Sequence, residues 1–450
     1  MIDNGLIEKI LEAAADVSAA AVDDIIAKAG GFGGLTLEEV AALLVAASAE
    51  QKARILQVAG QVKERIYGNR IVLFAPLYIS DYCVNNCAYC GFRQECKRPR
   101  FKLSQEELRA EVKVLERMGH KRLALEAGED PENCPLDYVL ECIDTVYSLK
   151  FGSGDIRRVN VNVAAMDVGG YKRLKDAAIG TYVLFQETYH RPTYENSHKS
   201  GPKADYGYHL TAFDRAMEAG IEDVGAGVLF GLYDHKFEVL ALMMHNQHLE
   251  QRFGVGFHTV SVPRIRAGGG AAKYPHAVND EDFLQLMAVL RLAMPFVGMI
   301  VSTREEPEMR KQLVQAGISQ MSAGSVTSVG GYSGGTTGDE QFKLADHRAA
   351  GEIIYWLMEE GILPSFCTAC YRSGRSGTQF MNLAKGGDIK NVCIPNGLLT
   401  LKEYALDYGD ARFKQLADKL IEKNINKLEN KKWIKSKLVA LKNGERDVFV

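Results

Sequence analysis

The sequence predicts an α/β protein built on a (β/α)8 TIM barrel over residues 70–345. A helical N-terminal extension covers residues 1–69 and a helical C-terminal region covers residues 346–450. Three observations lead to this reading. Eight apolar, β-rich runs lie between residues 70 and 345. Amphipathic stretches of helical period separate them, and strands alternating with helices imply parallel βαβ units. Eight units in about 280 residues match the length of such a barrel, and the strand count favours it over an open doubly wound sheet.

Each element has a local reason. In the N-terminal extension, Thr36 and Glu39 form a capping box ahead of Val40, Leu43 and Leu44, and Ser48 and Gln51 open a second helix the same way. GGFGG from Gly30 reads as a turn. The strand runs are IVLFAPLYI from Ile71, RLALEAG from Arg122, RVNVNVAA from Arg158, TYVLFQET from Thr181, DVGAGVLFG from Asp223, FHTVSVPRI from Phe257, FVGMIVST from Phe296 and SQMSAGS from Ser319. Between the first two runs lies SQEELRAEVKVLERMG, capped by Ser104 and Glu107, with Leu108, Val112, Leu115 and Met118 on one face. NDEDFLQLMAVLRLAM from Asn279 is a comparable helix, and EIIYWLMEEG closes the barrel. The lysine-rich tail from Lys414 is helical, and its interleaved Glu and Asp make it a solvated face. RAGGGAAK and GGYSGGTTGD read as loops, because neither sits in a strand–GxGxxG–helix unit.

The formal net charge of −3 over 450 residues gives no electrostatic reason to expect nucleic acid or an anionic membrane as partner. The opening MIDNGLIEKILEAA has no basic segment followed by an apolar one, and runs such as AALLVAASA are too short for a bilayer, so the expected location is the cytoplasm. Nine cysteines, an odd number, argue against a disulfide framework. Six fall into two groups. Cys96, Cys134 and Cys142 are scattered and read as free thiols.

The first group, SDYCVNNCAYCGFR, carries Cys83, Cys87 and Cys90 as C-x3-C-x2-C directly after the first strand. In a parallel barrel, the loops after the strands form the catalytic face. Three thiolates at this spacing can hold three irons of a [4Fe-4S] cube and leave the fourth open to a small molecule. S-adenosylmethionine (SAM) can chelate that iron through its amino and carboxylate groups, and one electron then cleaves its C–S bond to give a 5'-deoxyadenosyl radical. Tyr89 is placed to pack near the adenine. A zinc site with a distant fourth ligand is the alternative, although zinc sites more often pair C-x2-C with a second pair. Asn162 on the third strand, and Glu187 and Arg191 at the end of the fourth, are expected to face the same cavity, with Arg191 able to hold a carboxylate bidentately.

The second group, Cys367, Cys370 and Cys393, is C-x2-C-x22-C. It again offers three thiolates, and no histidine follows His347 to complete a zinc site. An auxiliary [4Fe-4S] cluster with one open iron is the favoured occupant.

The first cysteine segment resembles the radical SAM superfamily. LEAGED, from Leu125 to Asp130, is similar to that family's Gly-Gly-Glu segment, which implies that Glu129 accepts from the SAM ammonium. With the second cysteine group, and with GHKRLALEAGEDP, RRVNVN, GTYVLFQETYHRPTYE, DRAMEAGIEDVGAGVLFGLYD, HTVSVPR and CIPNGLLTLKEY, the chain resembles the HydG family of radical SAM tyrosine lyases, which serve [FeFe]-hydrogenase H-cluster maturation. The resemblance implies cleavage of L-tyrosine at Cα–Cβ to p-cresol and dehydroglycine. It further implies CO and cyanide collected on an extra iron that a free L-cysteine attaches to the auxiliary cluster. His258 resembles the protein ligand to that iron, and the implied partners are other hydrogenase maturation proteins and a low-potential electron donor.

Three departures accompany the likeness. Val326 stands after SAGS where a basic residue is expected, Phe257 stands where proline is expected, and FRQEC replaces an Arg-Ser-Asn-like run. The alternatives are a lyase for another amino acid, a thiamin-type 2-iminoacetate synthase, and a non-enzymatic Fe–S scaffold.

Overall fold

The computed structural model describes residues 1–265, 274–334 and 340–450. RAGGGAAK and the last five residues of GGYSGGTTGD lie outside the described residues.

Eight strands arise at the eight apolar runs: β1 Arg70–Ser80, β2 Arg122–Ala127, β3 Arg158–Asn162, β4 Tyr182–Glu187, β5 Val224–Val228, β6 Thr259–Ser261, β7 Gly298–Val301 and β8 Gln320–Ser322. All pair in parallel in sequence order, and β8 returns to β1, so the sheet closes into the expected barrel. Strands covered on both faces read as near-continuous apolar runs, and β1 is buried along almost its whole length. Small residues keep the interior from filling. At Gly227 a Cβ would stand 2.2 Å from the Phe185 ring, so the glycine makes room for that ring inside the barrel.

The capping boxes form at Thr36/Glu39, Ser48/Gln51 and Ser104/Glu107. Leu108, Val112 and Leu115 are fully buried, while Met118 sits just past the end of its helix and is half-buried. The N-terminal helix Ala49–Tyr67 packs on the barrel helices Asp280–Ala293 and Pro307–Gln315. Tyr67 at its end reaches the underside of the barrel, where its hydroxyl donates to the Phe296 carbonyl. Among the described residues, no helix is long and apolar enough to cross a membrane.

A ninth strand, β9 Leu363–Ser365, was not expected from the sequence; three residues centred on a proline carry no readable period. It follows the helix Ala350–Glu359 and pairs with the start of β1, Arg70 with Leu363 and Val72 with Ser365. The later half of β1, from Ala75, pairs with β2. Val72 already pairs with Gln320 of β8 on its other edge, so β9 continues the line of β2 below the barrel. The chain then leaves β9 straight into Cys367.

Gly60, inside the helix Ala49–Tyr67, sits where a Cβ would be 2.3 Å from the Gln315 carbonyl oxygen. Alanine is the better helix former, yet Gly60→Ala should lower thermal stability, by about 1–3 kcal/mol if the helices cannot separate. Thermal unfolding followed by circular dichroism checks the sign.

Candidate metal and cofactor sites at the two ends of the barrel

At the upper end, β1 runs into the first cysteine loop, and Arg100 fixes the path of that loop. Its guanidinium donates to four main-chain carbonyls, those of Asp81 and Phe92 at 2.9 Å, Arg93 at 2.7 Å and Cys96 at 3.2 Å. Neighbouring loops hold the rest: Val84 N–H donates to the Glu129 carbonyl, Ala88 N–H to that of Ser197, and Gly91 N–H to that of Gln341. Gly128 is required by close approach, since a Cβ there would stand 2.3 Å from the Tyr82 oxygen and 3.1 Å from the Cys83 Cβ.

The loop opens onto a cavity of about 240 Å³ that runs into the barrel. Cys83, Cys87, Cys90, Tyr89, Glu129, Asn162 and Glu187 all line it. The Glu129 carboxylate accepts from Asn85 Nδ2, and burial raises it above the ordinary carboxyl value. Tyr89 O–H meets His198 Nε2 at 2.8 Å. Burial, with Lys203 nearby, lowers His198 to about 3. The ring is therefore neutral, its Nδ1–H donates to the Tyr194 carbonyl, and its Nε2 accepts from Tyr89. Glu187 pairs with Lys203 at 2.9 Å and holds a φ of +68°, a conformation non-glycine residues adopt only under constraint. Asn162 Nδ2 donates to Glu126 at 2.7 Å.

Arg191 is a correction. It begins the helix Arg191–Ser197, its side chain is 65% exposed, and it pairs with Glu195 one turn on. It does not line the cavity. The cations that do are Lys203 and Arg304, the latter 3.6 Å from the Phe342 ring centroid. Neither was singled out from the sequence. Lys203 lies in the short 3-10 turn Pro202–Ala204 after Gly201, and no pattern marks Arg304. Glu126 could have been found, because Ala124, Glu126 and Gly128 share one face by the two-residue period of a strand. Val326 is not part of the cavity wall, although Ser325 and Thr327 on either side are.

At the lower end, Cys367, Cys370, Cys393 and His258 line a second cavity of about 50 Å³. Cys367 and Cys370 follow β9. Cys393 comes from the helix Ile389–Asp407, which packs on β9, and its sulfur accepts from Arg70 Nη2 at 3.0 Å. His258 immediately precedes β6, and its N–H donates to the Val224 carbonyl. Its Nδ1 is 3.3 Å from Asp223 and its Nε2 is 3.4 Å from the Tyr371 hydroxyl. Burial lowers its pKa against the opposing pull of Asp223, so the ring is neutral, the form that ligates metals. Cys96, Cys134 and Cys142 are unpaired thiols.

Both cysteine sets suit a cluster. Burial pushes the Cys87 thiol up to about 12 and raises Cys90, Cys367 and Cys370 as well. Such thiols are poor anions alone and are deprotonated by a bound cation. Among the described residues, no three His, Cys, Asp or Glu side chains converge on one ion. A cubane takes each sulfur on a different iron and so needs them further apart.

The fold and upper site define a radical SAM enzyme. The radical SAM superfamily profile matches residues 77–244, and the Biotin and Thiamin Synthesis associated domain matches residues 261–363. That family implies a [4Fe-4S] cluster and SAM. The crystal structure of HydG, a maturase of the [FeFe]-hydrogenase, is 53% identical with a TM-score of 0.97, covering 100% of this chain and 99% of that one. The HydG of Carboxydothermus hydrogenoformans is 38% identical with a TM-score of 0.83, over 97% and 98% of the two chains. This chain belongs to the HydG family. It is also similar to the 2-iminoacetate synthase of Salmonella typhimurium, 29% identical over 331 residues, which are 73% of this chain and 86% of that protein.

Burial raises Glu126 to about 8 against the opposing hydrogen bond from Asn162. A carboxyl raised in the folded state contributes stability that is fully present below its ordinary value near 4.5 and is lost as pH rises through about 8. Glu126→Gln mimics the protonated form. The thermal midpoint of the cluster-free wild type should therefore fall relative to this variant between those two pH values.

Proposed function

We propose that the chain is a radical SAM tyrosine lyase that cleaves L-tyrosine at Cα–Cβ to p-cresol and dehydroglycine. It then yields CO and cyanide on an iron destined for [FeFe]-hydrogenase H-cluster assembly. The observation that carries this reading is the pair of three-cysteine cavities at opposite ends of one barrel, the lower one completed by a neutral His258. Strands of about six residues at ~3.3 Å each separate the ends by roughly 20 Å.

Cys83, Cys87 and Cys90 hold the upper [4Fe-4S] cluster, which when bound supplies the electron that makes the 5'-deoxyadenosyl radical from SAM. Glu129, Asn162, Glu187 and Tyr89 position SAM beside it. In the same cavity the Glu187 carboxylate already neutralises Lys203, whereas Arg304 lies against Phe342. Arg304 is therefore the cation for the substrate carboxylate, and Val326, outside the wall, has no part in that contact. The ~240 Å³ upper cavity encloses the reaction and limits water.

Cys367, Cys370 and Cys393 would hold the auxiliary cluster, and His258 would be the protein donor to an extra iron that a free L-cysteine attaches there. Dehydroglycine divides without residue into CO, cyanide and water. A low-potential donor protein would supply the electron, and the product would pass to other hydrogenase maturation proteins.

After anaerobic reconstitution, Cys87→Ala should form no 5'-deoxyadenosine but keep the lower cluster. His258→Ala should make p-cresol near the wild-type level while the carbonyl and cyanide infrared bands disappear. Loss of both in His258→Ala, with iron content and circular dichroism intact, would refute the two-ended scheme. A protein making p-cresol and dehydroglycine but never carbonyl or cyanide would instead match the 2-iminoacetate synthase reading.

Arg304→Ala should raise the KM for tyrosine on the order of 10- to 100-fold, the usual scale for losing a buried charge contact, with SAM binding retained. Steady-state p-cresol formation measures it. An unchanged KM removes Arg304 from the substrate site.

A further inference from the structure

The two cavities share a wall. Axis-facing side chains alternate along each strand, and on β8 they are Gln320 and Ser322. Gln320 lines the upper cavity and the lower one, and it is the one described residue in both linings. Its register partner on β7 is Ile300, and its side-chain amide reaches Gly298 of that strand, where a Cβ would stand 2.7 Å from Gln320 Nε2, so the glycine leaves space for the amide. Gln320 Oε1 accepts from Arg122 Nη1 at 3.4 Å, near the outer limit of a hydrogen bond. Arg122 Nη2 donates to the Cys367 carbonyl at 2.9 Å. Arg122 Nε is buried without a hydrogen-bond partner. A long, weak hydrogen bond and, on the same guanidinium, a buried N–H without a partner therefore adjoin the one described residue common to both cavities.

We propose that Gln320, latched by Arg122, is the gate between the two cavities, and that an anionic two-carbon fragment opens it by taking the guanidinium away from the amide. The gate rests on the lyase reading above. Dehydroglycine carries a carboxylate, and a guanidinium bonds a carboxylate more strongly than it bonds a neutral amide at 3.4 Å. The two Nη groups of Arg122 form the end-on fork whose parallel N–H donors a carboxylate accepts, so a carboxylate bound there draws Nη1 from the amide. Intact tyrosine carries the phenol ring, and the Cα–Cβ cut removes it, so the two-carbon fragment is the anion small enough to pass Gln320. p-Cresol is neutral and has no claim on Arg122. The other arm of Arg122 rests on the Cys367 carbonyl, so an anion bound at Arg122 is delivered beside the lower cysteine loop. Gln320 and Arg122 are positioning residues here and touch no bond that breaks.

The experiment measures where the fragment goes. Fragment that misses the lower site adds water and is released as glyoxylate and ammonia. The enzyme, reconstituted with both clusters and given tyrosine and SAM, is assayed for p-cresol, glyoxylate and infrared carbonyl bands. Gln320→Phe should place a ring across the barrel axis. It should leave p-cresol per 5'-deoxyadenosine unchanged, raise glyoxylate towards one per p-cresol, and lower carbonyl per p-cresol by about tenfold. Gly298→Ala, a milder change that crowds the same amide, should shift the partition in the same direction by a smaller factor. A crystal structure of cluster-free Gln320→Phe should show the two cavities separated. If both variants are folded, with wild-type iron content, and carbonyl per p-cresol is unchanged, the gate is overturned and the lyase reading stands. If the wild-type protein makes no p-cresol, the lyase reading falls and the gate falls with it.

Discussion

Strand β1 bonds three neighbours, and both ends of the molecule hang on that ladder. Its later half pairs with β2, its middle with β8 and its first three residues with β9. The barrel strands need only about six residues, but β1 has eleven, and the surplus projects below the barrel. There Arg70 begins the strand and donates to the Cys393 sulfur, while β9 turns out into Cys367. At the opposite end the same strand turns at Ser80 into the Cys83 loop. One extended segment thus sets the span between the two cysteine sites, because a strand cannot lengthen or shorten without losing its register to every neighbour.

Burial of sulfur dominates the electrostatics at each end. Desolvation raises the thiols, and cations stand nearby: Lys203 at the upper set, and Arg70 and Arg122 at the lower. His258 follows the same logic with opposite sign, since burial keeps its ring neutral and Asp223 orients it. The thiols therefore keep their protons until a bound cation displaces them, while the His258 ring keeps a lone pair available.

Much of this was legible in the sequence because it is carried by local signals. A C-x3-C-x2-C loop after an apolar run, apolar β-rich strand runs and capping boxes depend on neighbours within a few residues, and each formed where the pattern put it. What was not legible depends on distant pairing. The strand Leu363–Ser365 exists because β1 offers an unpaired edge, which no property of Leu-Pro-Ser announces. Lys203 enters the upper cavity from the short 3-10 turn Pro202–Ala204, which is held by a bond to Asn85, more than a hundred residues away. Arg191 failed for a related reason. Its position at the end of β4 pointed inward by strand logic, but a helix starts there and turns it to solvent, where Glu195 is within reach. The departure at Val326 looked consequential in one dimension, and in three it lies outside the cavity wall.

The four carbonyls gathered by Arg100 bear on how the protein survives damage. Exposed [4Fe-4S] cubes are fragile toward oxygen. A loop shaped only by its irons would collapse when they left, and every repair would begin with a search for the right backbone. Here a guanidinium holds the main chain from inside the loop, independently of sulfur. The main chain is held without any help from iron, so a cluster installed there would have little backbone left to order. The cluster is in that sense a replaceable part in a permanent socket.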